Sequence, residues 1–145
     1  MYEDLVELIA RKKVAFPPFG TGVSTAAIDS ARKDSGIQFP PSYCWWLRNY
    51  GGGQIAGDLV YGLDERGTGR PDVIRLHKVS LSEGRSPQHL VFYIGNEESF
   101  YFDTGHPLES GEYRIYYQEH GQPDEEFAQS FDAFLRRRIV DILGN

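Results

Sequence analysis

The chain opens on a helical pattern of apolar and polar positions. Residues 2–12 (YEDLVELIARK) set Leu5, Ile9 and, less regularly, Val6 on one side, with acids early and Arg11, Lys12 and Lys13 late, the order the helix dipole favours. The stretch FPPFGTGV (16–23) breaks any regular element. Ser24 or Thr25 then caps a second helix that runs to about Lys33 and closes at Gly36. A third helix starts at FPPS (39–42), because proline is tolerated in a first turn, where its missing N–H would be unpaired anyway. Tyr43, Trp46, Leu47 and Tyr50 follow at i, i+3, i+4 and i+7, one face of a helix, and that face is predicted to be core. The glycines behind it, Gly51 to Gly53, suit a C-terminal cap and turn the chain into strands.

Past the glycines the period changes. Short β-rich runs read DLVYG (58–62), DVIRL (72–76), LVFYI (90–94), SFYFD (99–103) and YRIYY (113–117). Leu90, Phe92 and Ile94 alternate with Val91 and Tyr93, and Phe100 and Phe102 with Tyr101 and Asp103, so GNEE (95–98) joins two strands as a hairpin turn. A final helix carries Phe127, Phe131, Phe134, Leu135, Ile139, Ile142 and Leu143, with DEE (124–126) at its start and Arg136 to Arg138 later. Helices at both ends around a mostly antiparallel sheet predict an α+β fold. No linker-length stretch divides the chain, so 1–145 is expected to be one domain.

Composition narrows the function. At 145 residues the chain can bury roughly 70% of the surface its unfolded form exposes, so a core suffices without disulfides. Cys44 is the only cysteine and no basic-then-apolar leader is read, which together predict a cytoplasmic protein. The run LVFYI falls far short of the ~18 residues of a membrane span, and no membrane partner is expected. A net charge of −6 argues against direct nucleic-acid binding. The charge is unevenly spread: residues 97–132 hold ten carboxylates against Arg114 alone, a net of −9. Acids on loops and helix starts ordinarily do no more than keep a protein soluble, but this many in one segment create a field suited to a basic partner.

A phosphate cradle needs a strand before its glycines and a helix after them, whereas Gly51 to Gly53 follow a helix and precede a strand. Trp45 lies off the apolar face of its helix and is either a sugar-stacking platform or packed under a neighbour. The four histidines, His77, His89, His106 and His120, lack metal-ligand spacing, so neither metal nor cofactor is expected. Cys44 has no flanking signature of a nucleophile and reads as an apolar filler. Glu97 and Glu98 sit in the hairpin turn, where solvated charges are ordinary, rather than forming an acid/base pair. No enzyme signature emerges.

IQFPPSYCWWLRNYGGGQIAGDLVYGL (37–63) resembles the signature region of the SMI1/KNR4 family, also called the SUKH superfamily. The resemblance rests on the proline-led helix start at Pro40 and Pro41, on Tyr43, Trp46 and Leu47, on the corner Asn49-Tyr50-Gly51-Gly52 and on the strand at 57–62. It continues through LVFYIGNEESFYFDT (90–104) and SFDAFL (130–135); Cys44 stands where a polar residue is expected. The resemblance implies an α+β domain without known catalysis. Bacterial members resemble immunity proteins of polymorphic toxin systems, which bind and neutralise a cognate toxin, often a nuclease; fungal members resemble regulators of cell-wall synthesis. On the immunity reading the partner is a basic toxin, and Glu97, Glu98, Asp103, Glu109, Glu112, Glu119, Asp124, Glu125 and Glu126 are the candidate contacts. The alternative is a carbohydrate- or peptide-binding module centred on Trp45.

Overall fold

The computed structural model describes residues 1–12 and 21–144. Lys13 and the first part of the FPPFGTGV stretch lie outside them. The fold is α+β: a six-stranded antiparallel sheet in which strands adjacent in sequence are adjacent in space, from β1 to β6. The strands are β1 (Gly53–Ile55), β2 (Asp58–Val60), β3 (His89–Ile94), β4 (Glu98–Asp103), β5 (Ile115–Glu119) and β6 (Glu125–Ala128). The helices are α1 (Glu3–Lys12), α2 (Thr25–Ser35), α3 (Pro41–Asn49), α4 (Val73–Ser82) and α5 (Phe131–Leu143).

The first three helices form where the pattern puts them. Ser24 caps α2 by accepting from the Ala27 N–H, and Gly36 ends it with φ 72°. In α1, however, the buried residues are Leu5, Leu8 and Ile9, while Val6 faces solvent. The face of α3 is core as expected: Tyr43, Trp46 and Leu47 are fully buried, and only Tyr50 stays half-exposed. The triple-glycine corner is structural. Gly51 has φ 75° and donates to the Trp46 carbonyl, closing α3. Its own carbonyl accepts from Leu63 N–H at 3.0 Å, and a Cβ on neighbouring Gly62 would lie 1.8 Å from that oxygen. Two backbones meet there with no room for a side chain.

Three further expectations fail where packing outweighs local preference. DVIRL is the start of helix α4, not a strand: Asp72 caps it by accepting from the Ile74 and Arg75 N–H groups. Val73, Ile74, His77 and Ser80 are then buried on one face, so tertiary burial overrides the β preference of Val-Ile. The DEE segment does not open the final helix; Glu125–Ala128 is edge strand β6, and α5 begins after Ser130, whose hydroxyl accepts from Ala133 N–H. Phe127 therefore serves from a strand, its ring 4.8 Å from Phe100. Finally, the alternation in β3 is broken by a bulge between Val91 and Tyr93. Leu90 pairs with Phe102, and Tyr93 with Phe100, so Phe92 is the extra residue and Ile94 is carried over to pair with Ser99.

The bulge aims two adjacent rings at the helices. Phe92 lies 5.0 Å and Tyr93 5.6 Å from Phe134 of α5, and Phe92 stacks on Phe102 at 4.4 Å. Tyr43 of α3 meets Phe102 at 5.1 Å and Phe131 at 4.9 Å. The sheet thus has a helix-covered face and an outer face.

Candidate functional site

The acidic segment is divided by the sheet into groups with different work to do. Glu112, in the turn before β5, is spent on the fold. Pro40 precedes α3 without offering a side-chain cap, and Glu112 supplies it from seventy residues away, accepting from Ser42 N–H at 2.9 Å and from Ser42 Oγ at 2.8 Å. The same buried hydroxyl accepts from Phe131 N–H at 3.0 Å, so one serine ties α3, the β4–β5 turn and α5 together. A carboxylate at a helix N-terminus is favoured by the orphan N–H groups and the dipole.

Glu98 is likewise committed, which corrects its reading as a solvated turn charge. It begins β4 and meets Arg138, whose side chain is only 11% exposed. Arg138 also reaches Asp58 at 3.4 Å and donates from Nε to Tyr93 Oη at 3.1 Å, while Tyr93 donates to Asp58 at 2.5 Å and Tyr117 to Glu98 at 3.1 Å. The guanidinium lies 5.1 and 5.0 Å from the Tyr93 and Phe100 ring centres. Burial first, and the bond to Asp58 second, hold the Tyr93 hydroxyl well above its ordinary pKa; burial and Glu98 push Tyr117 up to about 12. Both phenols are donors at any physiological pH. Burial works against the charge on Arg138, but Tyr93 and Glu98 outweigh it and the net shift is upward.

Of the remaining acids, Asp103 is mostly buried and Glu109, Asp124 and Glu125 are exposed. Glu97 in the β3–β4 turn and Glu119 at the end of β5 line one cleft of about 340 Å³, together with Arg85, Ser99, Gln118 and His120. Asp124 and Glu125, just beyond the β5–β6 turn, are exposed at the same end of the sheet. Glu109 is exposed in the β4–β5 turn at the opposite end, where Asp103 lies 3.0 Å from His106 Nδ1. Glu126 pairs with Arg114 at 3.2 Å. The structure therefore sets Glu97 and Glu119 in one cleft, places Asp124 and Glu125 at the same end of the sheet, and leaves Asp103, Glu109 and Glu112 apart from them.

One feature escaped sequence reasoning. On the outer face, His89, Tyr101 and Tyr116 form a stacked column across β3, β4 and β5, with ring centres 4.1 and 5.6 Å apart. Tyr101 donates to Asp124 at 2.6 Å, and burial followed by that carboxylate raises its pKa. Arg85, from the turn after α4, sits 5.9 Å from the Tyr101 ring centre and donates to Gln118 at 2.6 Å. The available signal was the strand period itself: Tyr101 and Tyr116 occupy the positions opposite to the buried Phe100, Phe102 and Ile115.

Other features carry less. A cleft of about 640 Å³ between α2 and α4 is lined in part by Ala27, Ala31 and Ile74. Its carboxylates are used internally: Asp64 accepts from Thr68 and Gly69, Glu65 from Ser24, and Asp72 caps α4. Trp45 is half-buried, stacked on Tyr2 at 4.4 Å and edge-on to Tyr50 at 5.9 Å. Among the described residues no three His, Cys, Asp or Glu side chains gather as a metal-binding group, and no helix is long and apolar enough to cross a membrane.

Residues 22–137 fit the model of the SMI1 / KNR4 family (SUKH-1). No curated protein matches the sequence significantly.

Proposed function

The chain belongs to the SMI1/KNR4 family, and from that premise we propose that it is a non-catalytic immunity protein that binds a cognate basic toxin and covers its active site or substrate path. Family membership is consistent with such a role. The observation that carries the reading is the charge: a net of −9 within residues 97–132, with Glu97 and Glu119 in one cleft and Asp124 and Glu125 exposed at the same end of the sheet. A toxin that acts on nucleic acid needs a basic surface, and an acidic protein that occupies it blocks substrate by competition. Glu98 and Glu112 leave the set of contacts on this reading, because their carboxylates already hold Arg138 and Ser42. The carbohydrate- or peptide-binding alternative needs Trp45 as an open platform, and Tyr2 occupies one face of that ring.

The test is co-expression with the polypeptide encoded beside this chain's gene. The wild-type chain is expected to protect cells, and simultaneous reversal of Glu97, Glu119, Asp124 and Glu125 to lysine to slow association and flatten its salt dependence. Full protection with salt-independent association after that reversal would sink the electrostatic reading.

A further inference from the structure

Helix α4 meets the rest of the molecule in two unlike halves. Val73 and Ile74, in its first turn, belong to the contiguous apolar core. The buried residues of its second half are polar: His77, 5% exposed, and Ser80. Val73, His77 and Ser80 fall at i, i+4 and i+7, one row along the helix. α4 packs on β3 and on α2. Ile74 lines the cleft toward α2, whereas Ser80 shares a cleft with His89 of β3, so the row that holds His77 is turned toward β3. There the outer face of the sheet carries Val91, paired with Tyr101 of β4; both are buried, yet neither belongs to the contiguous core.

This minor contact encloses a titratable group. His77 Nδ1 is buried and has no hydrogen-bond partner among the described residues. A neutral imidazole can leave one ring nitrogen as an unused acceptor, but an imidazolium bears N–H on both and would bury a charged donor unpaired. The charged and titratable groups around it are engaged elsewhere. Asp34 of α2 holds Lys78 at 3.1 Å, His89 of β3 stacks on Tyr101 with Arg85 nearby, and the Tyr101 hydroxyl is bonded to Asp124. Burial alone holds the His77 pKa below its ordinary 6.5. The half-helix is otherwise lightly held: the Lys78–Asp34 pair is exposed, and Ser80 turns its hydroxyl back to the Leu76 carbonyl.

We propose that His77 makes α4 an acid-sensitive latch: neutral, it lets the second half of the helix close over Val91 and Tyr101; protonated, it releases that half while Val73 and Ile74 stay anchored. A histidine held below its ordinary value takes up its proton more readily in the open form, so closure is fully favoured above 6.5 and is lost as the pH falls below it. Acid then uncovers an apolar and aromatic strip of the outer face. The latch does not depend on the toxin-binding reading.

The experiment follows the isotopically labelled full chain by NMR between about pH 8 and pH 5, the range in which a histidine changes charge. The His77 imidazole is expected to titrate below 6.5, and the hydrogen-exchange protection of the amides of residues 76–83 to fall severalfold across the range while that of β4 holds. His77→Leu, apolar at every pH, should keep those amides equally protected at both ends of the range. His89→Gln should leave the wild-type loss in place. Titration of His77 at or above its ordinary value in the wild-type chain overturns the proposal whatever the variants do. An equal loss of protection in wild type and His77→Leu, or its disappearance in His89→Gln alone, overturns it as well.

Discussion

The two faces of strands β3 to β6 are both aromatic, and they end differently. On the helix side Phe92, Phe100 and Phe102 are fully buried against Phe131 and Phe134 of α5 and Tyr43 of α3. On the outer side His89, Tyr101 and Tyr116 stack on one another, and their polar surroundings are Asp124, Arg85 and Gln118. Phenylalanine has nothing to offer water, so its face must be covered within the chain. Tyrosine carries a polar atom on an apolar body, so Tyr101 is packed while its hydroxyl bonds Asp124. The same period of two thus builds a core on one side and a patterned surface on the other.

That contrast can be broken at graded cost. The largest effect is expected at Trp46, wholly buried behind the helix-covered face: Trp46→Ala should lower stability by about 3–5 kcal/mol, read as a shift in the chemical-denaturation midpoint. An unchanged midpoint would remove Trp46 from the core. Next comes the sheet end where core and surface meet. Glu98→Lys sets a second cation against Arg138 and leaves Asp58 as its only acid, at a cost of about 2–3 kcal/mol, less than for a fully buried pair because Glu98 is 26% exposed. Glu97→Lys, one residue earlier in the exposed turn, should stay within about 0.5 kcal/mol. Equal effects of the two reversals would show that Arg138 does not depend on Glu98. A smaller loss than that of Glu98→Lys is expected on the outer face: Tyr101→Phe keeps the ring and loses the bond to Asp124, costing about 0.5–1.5 kcal/mol by thermal melting. A loss as large as that of Trp46→Ala would make the outer column a second core rather than a surface.

Glu97 and Glu98 carry the lesson for reading acidic segments. Adjacent in sequence and identical in chemistry, they differ because the strand begins between them and directs one carboxylate at a buried arginine from α5. Charge counted along the chain does not separate carboxylates committed within the fold, such as Glu98, from those left to solvent, such as Glu125. Glu112 repeats the point, since its turn looks like any solvated loop until Ser42 is brought beneath it.

What the sequence determined by itself was whatever depends on near neighbours. The proline-led start, apolar face and glycine stop of α3 are local effects of dihedral preference and helical period, and they were legible in residues 39–53, as were the cap of α2 and the β3–β4 hairpin. The aromatic corner also carried the family. What only the tertiary structure decided were the features set by burial against distant residues. Val73 and Ile74 favour strands in isolation, yet they enter a helix because Asp72 caps it and one side of that helix is buried. The bulge that turns both Phe92 and Tyr93 toward α5 requires α5 to be there, and Phe127 becomes a strand residue because β5 offers an edge while Ser130 starts the helix later. Local torsional preferences differ by about a kcal/mol or less per residue, whereas burying one large side chain contributes about 1.5–3 kcal/mol, so packing wins wherever the two disagree.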